Sequence, residues 1–131
     1  MTQKQKDLLI KDLCGRLSYG VKVEYNGGKY KIANVSICNE TITIYGERGY
    51  PMEVEIKKVK PYLFPISSMI EDLKNELYTN LIELELKAIN DEIEHSVVTA
   101  FEIDFYHKHH IDYRGLIPMG LANDATELNI Y

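Results

Sequence analysis

The residues that could do chemistry gather in one place. Between Asp104 and Gly115 the chain carries three of its four histidines, His107, His109 and His110, with Asp104, Asp112 and Arg114. On a helix, Asp104, His107 and His110 fall three apart on one face, a spacing at which a carboxylate and two imidazoles can share a metal ion. Asp112 could join them from the loop beyond, but no second ligand cluster lies upstream, where His95 stands alone. The competing reading is structural. In the last turn of a helix His107, Lys108, His109 and His110 supply donors and positive charge for free carbonyls and for the helix dipole. That reading is the simpler one, and no metal and no cofactor are expected. His109, four residues after Phe105, is expected to pack against the core.

Two other sets could bind rather than react. The loop Asp112-Tyr113-Arg114-Gly115 is a candidate for partner recognition, because Arg114 can grip a carboxylate or phosphate bidentately. The simpler use, and the leading expectation for Arg114, is to tie the tail to the acidic C-terminal half of the chain, which has thirteen acids and few cations to match them. The second set is Lys22, Tyr25, Lys29, Tyr30, Lys31, Lys57 and Lys58, with Lys60 and Tyr45 nearby, the mixture that a single-strand groove uses for phosphates and stacking. The intervening Glu24, Glu53 and Glu55 and a net charge of −5 weigh against it. There is no phosphate-cradling glycine loop, no nucleophile elbow and no cysteine in an activating context, so an enzyme is not expected.

The charge is unevenly spread. Residues 1 to 60 hold nine Lys and two Arg against seven acids, a net of +4, whereas residues 61 to 131 hold three Lys and one Arg against thirteen acids, a net of −9. Such a split permits head-to-tail self-association or an oppositely charged partner, unless the halves neutralise each other in the fold. The 131 residues, 45% hydrophobic and 27% charged, suit one domain. No apolar run approaches a membrane span, and Met1-Thr2-Gln3-Lys4-Gln5-Lys6 lacks the apolar stretch of a secretory signal, so a cytoplasmic protein is expected. Cys14 and Cys38 then read as reduced thiols in or near the core.

The elements that position these residues follow from periodicity. Leu8, Leu9, Ile10 and Leu13 share a helical face over residues 3 to 14, and Gly15 is a plausible stop. Val21, Val23 and Tyr25 alternate with Lys22 and Glu24, and Asn26-Gly27-Gly28 signals a hairpin. A return strand runs from Lys29 to Ile37, its alternation broken at Ala33 and Asn34 as at a bulge. Thr41 to Tyr45 and Met52 to Lys57 complete four antiparallel strands, expected to curve into a small SH3-like barrel, partly open. Lys60-Pro61-Tyr62-Leu63-Phe64-Pro65 reads as a rigid extended connector. Ser67 or Ser68 can cap a helix striped by Ile66, Ile70, Leu73, Leu77, Leu81 and Leu84. Residues 78 to 100 are ambiguous. Ile82 to Ala88 also alternate as a strand would, although their composition favours helix. Val97, Val98, Phe101 and Phe105 stripe a last helix ending near His109, and the tail from Ile111 to Tyr131 is expected as ordered irregular chain. The fold class is therefore α+β in one domain, 1–62 a helix plus meander and 63–131 mainly helical.

Three blocks carry a resemblance. Residues 11–23 (Lys11-Asp12-Leu13-Cys14-Gly15-Arg16-Leu17, then Tyr19-Gly20-Val21-Lys22-Val23), 60–69 (Lys60-Pro61-Tyr62-Leu63-Phe64-Pro65, then Ser67-Ser68-Met69) and 110–126 (His110-Ile111-Asp112-Tyr113-Arg114-Gly115-Leu116-Ile117, Gly120-Leu121-Ala122, Asp124-Ala125-Thr126) are similar to signature blocks of a family of short hypothetical proteins. That family belongs to gut anaerobic bacteria and their phages and prophages. The resemblance implies an intracellular, phage-derived protein and carries no activity. The leading expectation is a non-enzymatic binding module that engages a host or self protein through the acidic helices and the 112–115 loop. A nucleic-acid binder using the lysine and tyrosine face is the alternative.

Overall fold

Alternation at period two dominates the first half of the chain, and the four strands it predicts are present. The computed structural model describes residues 1 to 131. β1 (Lys22–Tyr25), β2 (Gly28–Ser36), β3 (Thr41–Tyr45) and β4 (Pro51–Glu55) form an antiparallel meander. Asn26 and Gly27 turn the first hairpin with φ of 48° and 80°, the double positive φ that a two-residue turn of matching twist demands. The broken alternation at Ala33 is a bulge: Ile32 pairs with Ile44, but the next partners are Asn34 and Thr43. The extra residue returns Val35 to the inner face opposite Ile42, so both halves of β2 feed the same core.

That inner face, carrying Val21, Val23, Ile32, Ile42, Ile44 and Val54, is covered by α1 (Gln3–Arg16) through Leu9, Ile10 and Leu13. A capping box starts α1: the Gln5 N–H donates to Thr2 Oγ1 at 3.1 Å, and the Thr2 N–H donates to Gln5 Oε1 at 2.9 Å. Gly15 does not stop the helix. It lies inside α1, where a Cβ would come within 2.6 Å of His107 Cε1, so its role is close approach.

The sheet does not close into a barrel. The segment read as a connector is a strand, β5 (Lys60–Pro65), which takes the free edge of β1 with Val23 opposite Pro61 and Glu24 opposite Lys60. With α1 packed on the inner face and β5 occupying β1, β4 is left as an open edge, bearing Pro51, Glu53 and Glu55, residues unsuited to further pairing. β6 (Ile111–Asp112) and β7 (Asn123–Asp124) both run parallel to β5, giving the order β4-β3-β2-β1-β5-β6 with β7 also on β5.

The remaining helices are α2 (Glu71–Ile89) and α3 (His95–Lys108), so the ambiguous stretch up to Ile89 is helical. Ser67 and Ser68 do not cap α2. They lie in a 3-10 turn where Ser68 Oγ donates to the Pro65 carbonyl at 2.6 Å, the N-cap is Ile70, and Ile66 and Ile70 stay exposed rather than joining the helical stripe. Met69, Leu77, Phe105 and Ile111 form a second core between α2, α3 and β6. A third one, Tyr62, Ala125 and Ile130, lies across β5 from Leu63, because adjacent strand residues face opposite ways. Both cysteines are free and exposed, not core thiols: α1 turns Leu9 and Leu13 inward, leaving Cys14 outside, and Cys38 sits in the turn after β2. No helix is long and apolar enough to cross a membrane.

Candidate functional site

Most of the residues expected to recognise a partner between 112 and 115 are committed inside the molecule. α1 presents Asp12 and Arg16 one turn apart, and both are fully buried. Arg16 Nε donates to Asp12 Oδ2 at 2.7 Å, Arg16 Nη2 donates to the Ile111 carbonyl at 2.7 Å, and Arg114 Nε donates to Asp12 Oδ1 at 3.1 Å. One carboxylate therefore serves two guanidinium groups and joins α1 to the chain after α3. Tyr113 lies between them, its ring 5.5 Å from the Arg16 guanidinium and 4.9 Å from that of Arg114, and stacked on Tyr106. Asp112 accepts from the N–H groups of Leu116 and Ile117, both at 2.9 Å, which folds the loop over itself. Gly115, at φ 76°, makes that reversal possible. What remains open is a shallow hollow bordered by Tyr113, Gly115, Pro65, Ile66, Ile117 and Pro118.

The histidines divide among separate tasks. His107 Nε2 is 2.8 Å from the Tyr113 hydroxyl, His109 packs on the Phe105 ring at 4.6 Å as its spacing suggests, and His110 stacks on Tyr131 at 3.7 Å and 10°. Burial pushes all three below the ordinary histidine pKa, helped at His107 and His110 by the Arg16 charge, and His110 is lowered to about 4. Asp104 is exposed, and no group of three or more His, Cys, Asp or Glu side chains is placed to hold a metal ion. Tyr131 has its own part. Its hydroxyl accepts from the Lys22 N–H at 3.0 Å and donates to the Tyr62 carbonyl at 2.7 Å, bridging β1 and β5 just past their last paired residues.

The lysine and tyrosine set separates into two. Lys22, Lys29 and Lys31, with Tyr30, Tyr45, Gly46 and Glu47, line one hollow of about 230 Å³. Tyr25 and Tyr30 meet edge to face and pack against the main core, so their faces are largely spent there. Lys57 and Lys58 lie in the turn after β4, where Lys57 pairs with Glu55 at 3.1 Å and borders a different hollow.

A further feature lies on the outer side of α2. Tyr78, Ile82, Leu86 and Ile89 on α2 are 53 to 70% exposed, although Leu73, Leu77 and Leu81 of the same helix face the second core. At 100° per residue Tyr78, Ile82 and Ile89 fall within 40° of one another, Leu86 borders them on one side and Lys74 on the other, and the exposed Glu71 and Glu85 share their side. The spacing was visible, but the alternation from Ile82 to Ala88 masked it.

Fold and site together define an open-sheet α+β protein with an internal ionic joint, an apolar stripe on an acidic helix and a basic hollow. No protein-family model matches the chain, and no curated protein or solved structure matches it either.

Proposed function

We propose that the chain is a non-enzymatic protein-binding module that docks a basic amphipathic helix of its partner along the outer side of α2. The observation that carries this reading is the stripe of Tyr78, Ile82, Leu86 and Ile89, exposed on a helix whose opposite side is already packed. Large apolar side chains in a row on a surface helix mark interaction faces, and apolar anchors at this spacing fit a helix laid alongside. Glu71 and Glu85 on the same side, within a half of the chain that carries −9, select lysine or arginine flanks on the occupant. Burying the exposed part of these four side chains yields roughly 4–7 kcal/mol gross, at the low end of the cost of association, so the complex is an exchanging one. In this reading the chain serves as a cytoplasmic phage or prophage accessory factor with a host protein as partner.

The test places a photo-crosslinking residue at Tyr78, and at Lys31 as control, in the full chain within host lysate. The reading expects a cross-link from position 78 to a basic amphipathic segment, lost when Ile82→Asp and Leu86→Asp are combined. A cross-link to a second copy of the chain would reassign the face to self-association, and none from position 78 would overturn the proposal.

A further inference from the structure

We infer that the hollow on the outer face of the meander is a binding site for a single phosphate group carried by a small ligand, a nucleoside monophosphate being the fitting class. The strand register builds it. β1 and β2 set Lys22 directly opposite Lys31, and Lys31 is in turn opposite Tyr45 of β3. Like charges facing each other across a ladder repel, and no carboxylate forms an ion pair with them. None of Lys22, Lys29 and Lys31 has an acidic oxygen within 4.0 Å, unlike Lys6, Lys57 and Lys87. The acid that the register places opposite Lys29 is Glu24, and it accepts instead from Asn123 Nδ2 at 3.1 Å. Lys22 has its ammonium turned aside, donating to the Ile130 carbonyl at 2.8 Å and lying 5.8 Å from the Tyr131 ring centre. Lys29 and Lys31, both exposed, are then the two free cations at the rim, with Tyr45 beside them to lie against a base or sugar.

The same geometry argues against an extended nucleic-acid track. Lys57 borders a different hollow, Tyr25 packs against the core, Tyr30 divides its ring between the core and this hollow, and the hollow is small. Glu47 also lines it, and its carboxylate works against any anion that enters. This site is separate from the α2 face, so either proposal can fail without the other.

The experiment follows amide shifts of the full chain during titration with inorganic phosphate, with adenosine monophosphate and with a single-stranded oligothymidylate, using sodium acetate to match ionic strength. Saturable shifts centred on Lys29, Lys31, Tyr45 and Gly46 are expected from both phosphate and the monophosphate, the latter tighter. Lys29→Gln and Lys31→Gln should each weaken binding about tenfold, the loss of one charge-assisted hydrogen bond. Glu47→Gln should tighten it several-fold. The binding role separates from a structural one: Lys31→Gln should raise the melting temperature of the free protein by removing like-charge repulsion and abolish the further rise that the ligand gives the parent chain, whereas a lysine kept for structure would lower the melting temperature of the free protein when replaced. Acetate shifting the same amides as strongly, or no saturable shift from either phosphate, would overturn the inference. So would tight binding of the oligothymidylate alone, which would restore the strand-binding reading.

Discussion

Arg16 is the residue on which the joint between the two halves turns. Its guanidinium is fully buried, and Asp12 is the carboxylate that neutralises it, while Nη1 has no hydrogen-bond partner. Removing one member of a buried ion pair strands the other charge in a low dielectric, a loss of about 3–5 kcal/mol. Asp12→Ala should therefore lower unfolding stability by about that amount, and denaturant melts read it directly. Arg114→Ala should cost only about 1 kcal/mol, since its charge is partly solvated and Arg16 keeps its partner. Equal losses from the two substitutions would sink this ordering. None of this was visible from spacing alone. Asp12 and Arg114 are 102 positions apart, and a single aspartate on an amphipathic helix reads as surface until its partner is known. His107, His109, His110 and Arg114 are close in sequence, but each serves a different local packing or ionic arrangement.

At the scale of elements, legibility followed the strength of local patterning. β1 to β4 and the bulge in β2 were readable because alternation reports directly on a sheet with one covered face. β5 was not, because Pro61 and Pro65 resemble a connector and because its partners β1, β6 and β7 come from three distant parts of the chain. That one strand also decides between a barrel and an open sheet. In α2 two stripes compete within one helix, and only packing tells which is inside. Leu77, almost wholly buried, should cost about 2–5 kcal/mol on truncation to Ala, whereas Ile82→Asp with Leu86→Asp should change stability by no more than about 0.5 kcal/mol per site. A large loss from the double variant, seen by urea denaturation, would show that α2 leans on something through its outer side even in the isolated chain.

At the scale of the molecule, the basic and acidic halves are fastened together at points that are sensitive to acid. His107 holds Tyr113 beneath the Asp12, Arg16 and Arg114 joint, and His110 stacks on the Tyr131 that bridges β1 and β5. Each imidazole is favoured neutral in the fold, and His109 on Phe105 adds a third. A base whose folded pKa lies below its unfolded value near 6.5 binds more protons when unfolded, so stability rises with pH through that window. The stabilisation is fully present above about pH 6.5 and is lost as pH falls towards the folded values, which for His110 lie at about 4. The charged groups facing His110 are Arg16, Lys22 and His109, each of which disfavours its protonated form, so no carboxylate there reverses the sign. Unfolding free energy measured by denaturant between about pH 7.5 and 5, where ordinary carboxylates stay ionised, should therefore fall steadily. His110→Asn should start from a lower stability at neutral pH, having lost the stack on Tyr131, yet show a flatter slope, because asparagine tolerates the positive φ of 58° and carries no titrating group. An unchanged slope in that variant would remove His110 from the account and leave the acid sensitivity to His107 and His109.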